Sequence, residues 1–121
     1  MKRWRVAITA VIALAAPVGA TMTVGTFVAK ASALRANPLA AFTSPDFPLL
    51  RTEAQTATAQ LKADRDARRA AGKPPIACVP EGQSIGITDM IDGLAALPPA
   101  AQKLPLKDGY ARVIAQRFPC R

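Results

Sequence analysis

The side chains best placed for covalent chemistry are Cys78 and Cys120, the only two cysteines, and the chain has no histidine. A reactive thiol wants an electropositive, exposed setting with a base partner or a Cys-x-x-Cys spacing. Here the cysteines lie far apart and no imidazole can act as the base. An even cysteine count in an exported chain reads as disulfide bonding, and two cysteines allow one pairing, Cys78 with Cys120. That bond closes a loop of about 43 residues, which chain-entropy arguments value at about 4 kcal/mol. Zinc ligation fails on ligand count. No Gly-x-Ser-x-Gly, P-loop or Gly-x-Gly-x-x-Gly pattern is present, so neither a metal nor a cofactor is expected. Asp89 and Asp92 stand three apart and share a helix edge. They lie off the apolar face, and Asp89 suits the positive end of a helix dipole. A structural role is therefore expected, and the chain is not expected to be an enzyme.

The second chemical feature is a row of cations, Lys62, Arg65, Arg68, Arg69 and Lys73. One reading is a patch for an acidic protein, an anionic lipid or nucleic acid. The other is a solvated helix end, diluted by Asp64 and Asp66. No aromatic residue interleaves with the cations, and an exported protein rarely meets nucleic acid, so nucleic acid is not an expected partner.

Export is read from the N-terminus. Lys2, Arg3 and Arg5 precede an apolar run from Val6 to Ala16. Pro17 breaks the run, and Val18-Gly19-Ala20 offers small residues to a signal peptidase. Residues 1–20 are thus expected to be a cleaved signal peptide, and the only expected meeting with a membrane is through that signal. An uncleaved anchor from Val6 to about Ala29 is the alternative, and Ala31-Ser32-Ala33 is a second small-residue site. Against both stands the pattern that follows: Val24, Phe27, Val28, Ala31 and Leu34 fall three and four apart, on one helical face. Cleavage after Ala20 leaves 13 Lys and Arg against 8 Asp and Glu, a net charge of +5 rather than the +8 of the whole chain. It also removes the only tryptophan, Trp4.

The remaining 101 residues suit one domain. Half of the whole chain is hydrophobic but only 5% is aromatic; a core of Ala, Leu, Val and Ile is small and gains from a covalent staple. Residues 24–71 are expected to hold the N-terminal helices. Thr23 is a suitable N-cap for a helix over 24–36, which Asn37-Pro38 ends. Residues 39–42 suit a short helical turn. Thr43-Ser44-Pro45-Asp46 starts a second helix that runs to about Ala71, with the stripe Phe47, Leu50, Ala54, Ala57 and Leu61 and a solvated far half. Gly72 is its C-cap, and Lys73-Pro74-Pro75 is a stiff connector. Residues 78–120 are expected to form a disulfide-closed helical hairpin. Its first helix spans about 87–97, with Ile87, Met90, Ile91, Leu94 and Leu97 inward. A loop over 100–104 follows, then a helix from Pro105 with Leu106, Tyr110, Val113, Ile114 and Phe118 on one side. The fold class is all-α, a small bundle of about four helices with one intramolecular disulfide.

Cys78-Val79-Pro80, the helix ending in Pro98-Pro99, and Tyr110-Ala111-Arg112 through Arg117-Phe118-Pro119-Cys120 resemble the C-terminal half of the Tai-like immunity proteins of bacterial type VI secretion. The matched stretch covers about 43 residues, and Met22 to Lys30 looks like the N-terminal half of members of that group. The resemblance implies a helical bundle in the periplasm, often a homodimer, which binds a peptidoglycan-cleaving amidase effector and occludes its active site. No effector-contacting residue carries over by motif; the loops at 80–84 and 100–107 are the expected contact regions. The alternative reading is a structural or chaperone-like envelope protein without a specific toxin partner.

Overall fold

The computed structural model describes residues 22–121; the signal-peptide reading of residues 1–20 lies outside the described residues. Helix α1, Val24–Ala36, is capped as its sequence suggests. The Thr23 hydroxyl accepts a hydrogen bond from the Thr26 amide at 3.3 Å, satisfying one donor of the first turn. Asn37 closes α1 and opens α2, Pro38–Ala41, where its side-chain oxygen accepts from the Ala40 amide at 3.4 Å. Pro38 sits at the first helical position, where its missing N–H matters least. The inward face of α1 carries Val24, Phe27 and Ala31, all buried, with Val28 and Leu34 packed against the same cluster.

The other half of the core comes from α4, Ile87–Ala95, and α6, Leu106–Arg117, joined through the short helix α5, Pro99–Gln102. The expected loop over 100–104 is thus partly helical, because Pro99 at the first position favours a helical turn. This turn places Gln102 so that its Nε2 donates to the carbonyls of Leu94 at 2.8 Å and Leu97 at 3.0 Å. Leu94 lies in the last turn of α4, where carbonyls lack an i+4 partner within the helix, and its carbonyl also accepts from the Leu97 amide at 3.2 Å just beyond the helix end.

Two glycines set how closely the helices approach. A Cβ on Gly109 of α6 would overlap Cγ2 of Val24 in α1 and lie 3.0 Å from Cδ2 of Leu94 in α4. A Cβ on Gly93 of α4 would come within 2.7 Å of Cγ1 of Val113 in α6. Val24, Leu94 and Leu106 are fully sealed from solvent at this crossing. The Phe27 and Tyr110 rings stand edge to face, 84° apart with centroids separated by 6.3 Å, a favoured aromatic geometry. The Val24 amide donates to the Leu104 carbonyl and the Leu106 amide to the Met22 carbonyl, each at 3.0 Å. The starts of α1 and α6 are therefore joined by an antiparallel bridge between Thr23 and Pro105.

Helix α3, Asp46–Ala70, is the longest at 25 residues, about 37 Å at 1.5 Å per residue. The Ser44 hydroxyl accepts from the Asp46 amide at 3.2 Å near its start. At its end Gly72 adopts φ +68°. There Lys73 N–H reaches the Arg68 carbonyl at 2.9 Å and Gly72 N–H the Arg69 carbonyl at 3.1 Å, the paired bonds of a Schellman cap. Leu50 and Ala57 are buried, and Ala54 and Leu61 pack on the core. Phe47 departs from the expected stripe. It lies in the first turn, ahead of the core, and its ring neighbours Phe42 at 6.4 Å, leaving it exposed.

Residues 71–86 return from α3 to α4 without regular structure. A turn closes at Pro80–Gln83 through a 3.1 Å hydrogen bond, with Gly82 at φ +79°, a conformation glycine adopts at no steric cost. The Cys78–Cys120 disulfide is formed, with Cα atoms 4.9 Å apart. Beside it the Cys78 amide donates to the Phe118 carbonyl at 2.9 Å. Among the described residues, four longer helices, two short ones and this bond bear out the expected all-α fold.

Candidate functional site

Leu61, Ile76, Val79 and Ile87 are apolar side chains that helix and loop geometry leave facing one another across a gap. The gap is a groove of about 460 Å³. One wall is the far half of α3. The other is the 75–87 segment, and Tyr110 and Ile114 of α6, with Phe118 at its C-cap and Met90 of α4, form the floor. Ile87 was expected inward. As the first residue of α4 it overshoots the packed core and is 60% exposed on the groove wall instead.

The disulfide positions the second wall. Ile76 and Val79 flank Cys78, and the bond to Cys120 holds that strip against the end of α6. Arg68 secures its beginning by donating from Nε to the Pro74 carbonyl at 3.0 Å. Both cysteines are exposed, but bonded to each other they offer no thiolate. Their role is mechanical.

Lys62, Arg65 and Arg68 rise along the α3 wall at a spacing of three, which keeps them on one side of the helix. Of the five cations singled out in the sequence, these three border the groove, whereas Arg69 and Lys73 do not line it. Asp64 borders it too, but its charge is matched by Lys107 of α6 at 3.2 Å. Arg65 meets Asp66 on the exposed surface at 3.2 Å. The rim is therefore net positive, above an apolar floor.

Tyr110 is the titratable group of the floor. Burial pushes its phenol up to about 12, so it is a neutral phenol at ordinary pH and no general base. Asp89 and Asp92 are not brought into the groove. Asp92 pairs with Arg35 of α1 at 2.9 Å, and Asp89 occupies the first turn of α4. Among the described residues no three His, Cys, Asp or Glu side chains gather as metal ligands, and no helix is long and apolar enough to cross a membrane.

The two loops expected to make contacts differ. Of the 80–84 loop, Gln83 and Ser84 border the groove, whereas Pro80, Glu81 and Gly82 do not line it. The 100–107 stretch is held down: Ala101 and Leu106 are buried, and Leu104 and Leu106 are bonded to the start of α1. A second apolar surface lies at the other end of α3, where Leu39 and Phe42 are 87% and 81% exposed beside Phe47 and Leu49. Neither the groove nor this second patch was anticipated from the sequence. The available signals were an apolar strip around Cys78 with no helical period, and the three-residue spacing of the cations. In comparisons with known proteins the chain matches no family model, no curated protein and no solved structure.

Proposed function

We propose that this is an exported periplasmic binding protein of the immunity or inhibitor type, which blocks a cell-wall amidase by docking against it. The observation that carries the reading is the apolar groove, whose wall residues Ile76, Val79 and Ile87 are left between 45% and 60% exposed by the fold. A surface of this kind is what a partner covers. The disulfide supports an oxidising compartment, and the cysteine–proline framework of residues 78–120 supports the class of partner through its resemblance to Tai-like proteins. An inhibitor that works by occlusion needs no reactive group of its own, only a surface that a partner covers, and apolar side chains make up most of this groove. The test is capture from periplasmic extract on the immobilised Thr21–Arg121 chain, followed by assay of the captured amidase on peptidoglycan. Stoichiometric loss of cleavage is expected. An amidase that is neither retained nor slowed by a molar excess of the protein removes this reading.

The exposed Leu39–Phe42 patch favours a second reading, a chaperone-like envelope protein that holds unfolded clients by apolar contact. Suppression of aggregation by a range of unrelated clients, abolished in Leu39→Ser with Phe42→Ser, is its expected signature. Indifference to every client tried rejects it.

A further inference from the structure

We infer that the groove takes an amphipathic helix of about three turns from the partner protein, with apolar residues seated inward and carboxylates turned to the α3 rim; this rests on the binding-protein reading above. Length and shape come first. The α3 wall runs from Thr58 to Arg68, about 15 Å at 1.5 Å per residue, which matches roughly three turns of a docked helix. The opposite wall presents Ile76, Val79 and Ile87, and the floor Ile114 and Tyr110. Such a channel receives side chains at i, i+3, i+4 and i+7, the pattern of a helix laid in a groove. An added strand would need a sheet edge as template, and among the described residues there is no strand beyond one isolated bridge, which joins Thr23 to Pro105.

Charge selects the partner. Lys62, Arg65 and Arg68 form a single row along one lip, while the acid bordering the groove, Asp64, is matched by Lys107. A helix that buries leucine-like side chains and carries Glu or Asp on its α3-facing flank meets Lys62 and Arg68 along one line, with Arg65 between them shared with Asp66 at 3.2 Å. A helix carrying Lys or Arg there meets like charge. Complementarity of this kind steers encounter and rejects wrong partners more than it adds affinity, so the salt and charge-reversal responses are the diagnostic readouts. The groove is about half open to solvent, whereas pockets for small molecules cover most of the ligand; a free acyl chain would stay partly wetted there.

The test uses the oxidised protein and a fluorescent fourteen-residue peptide with Leu at i, i+3, i+4 and i+7 and Glu flanking them. A second peptide has every Glu replaced by Lys. The acidic peptide is expected to bind at least about tenfold more tightly, with affinity falling as NaCl is raised. Lys62→Glu with Arg65→Glu is expected to invert that preference, and Val79→Glu on the opposite wall to weaken both peptides with an unchanged melting curve. Equal binding of the two peptides overturns the inference. So does binding of an anionic fatty-acid probe without binding of either peptide, which would make the groove a small-amphiphile site. The two levels fail separately. An amidase inhibited equally by the native protein and by Lys62→Glu with Arg65→Glu removes the groove assignment and leaves the inhibitor. Selective peptide binding without inhibition of any amidase removes the inhibitor and leaves the groove.

Discussion

The two flanks of α6 are built on opposite principles. On one flank, Gly109 and Gly93 bring α1, α4 and α6 so close that a single methyl group has nowhere to go. On the other, the chain crosses from α3 to α4 in an irregular strip that a disulfide pins down, and a groove of about 460 Å³ remains. The first flank derives its stability from packing density, and any gap there is costly. The second derives its shape from a covalent bond, so its side chains are free to be chosen for something other than folding. A small alanine-rich protein thereby keeps an apolar groove on its surface without opening its core.

The sharpest way to break this contrast is to hollow out the close-packed flank. Phe27→Ala removes a ring that is 2% exposed and stands edge to face with Tyr110, and should destabilise the protein by about 3–5 kcal/mol. Denaturant unfolding monitored by circular dichroism measures it. A loss below about 1 kcal/mol would mean that α1 is not the centre of the core. The next largest effect belongs to the other flank. Cys78→Ala with Cys120→Ala removes a link of sequence separation 42 and should cost about 2–4 kcal/mol, whereas the α1–α4–α6 contacts should persist. Amide exchange tells the flanks apart: protection should fall over residues 72–86 and stay high in α1 and α6. Uniform loss of protection would show that the disulfide supports the whole molecule rather than one wall.

Gly109→Ala tests the close approach directly. The new Cβ overlaps a buried, stiff valine, so α1 and α6 must separate, at about 1–3 kcal/mol. Equal or higher stability, the usual outcome for Gly→Ala in a helix, would contradict the crossing. This position also marks the limit of what could be read from the chain alone. The bounds of α1, the turn after Pro38, the Gly72 cap and the cysteine pairing rest on local signals and were legible. Gly93 and Gly109 read locally as weak points in helices, because nothing in the sequence says which residue faces them. Phe47 and Ile87 fit the helical period yet lie exposed, since a stripe gives direction but not where the core ends. The groove was hidden for the same reason. Its walls come from residues 58–68 and 75–87, and its floor from residues 110–118, and only the tertiary arrangement brings them together.

A smaller effect comes from the shared residue, Tyr110, whose ring packs against Phe27 and faces the groove floor. Its folded-state pKa is raised from 10.0 to about 12 by burial. Folded and unfolded chains therefore bind the same proton below pH 10, and this residue adds no pH dependence there. Between about pH 10 and pH 12 the unfolded chain loses the proton first, so stability falls as pH rises. Tyr110→Phe should flatten the slope of melting temperature against pH in that window and leave it unchanged below pH 9. An identical slope in both proteins would mean that the phenol is hydrated, and that the groove reaches further under α6 than the close packing of that flank allows.

The smallest stability change is expected where function is placed. Ile76 and Val79 are 50% and 45% exposed on the groove wall, so replacing both by serine removes little apolar surface that folding had buried. The double variant should unfold within about 1 kcal/mol of the native protein, with the disulfide intact by mass. Binding responds differently, because a partner completes the burial of side chains that folding only begins, and each apolar wall residue fully covered is worth about 1–2 kcal/mol. Loss of the acidic helical peptide by tenfold or more, without loss of stability, separates recognition from folding at the same two side chains. If stability drops by 3 kcal/mol or more instead, the strip around Cys78 is core in solution, the groove is closed, and the two flanks of α6 are one continuous interior.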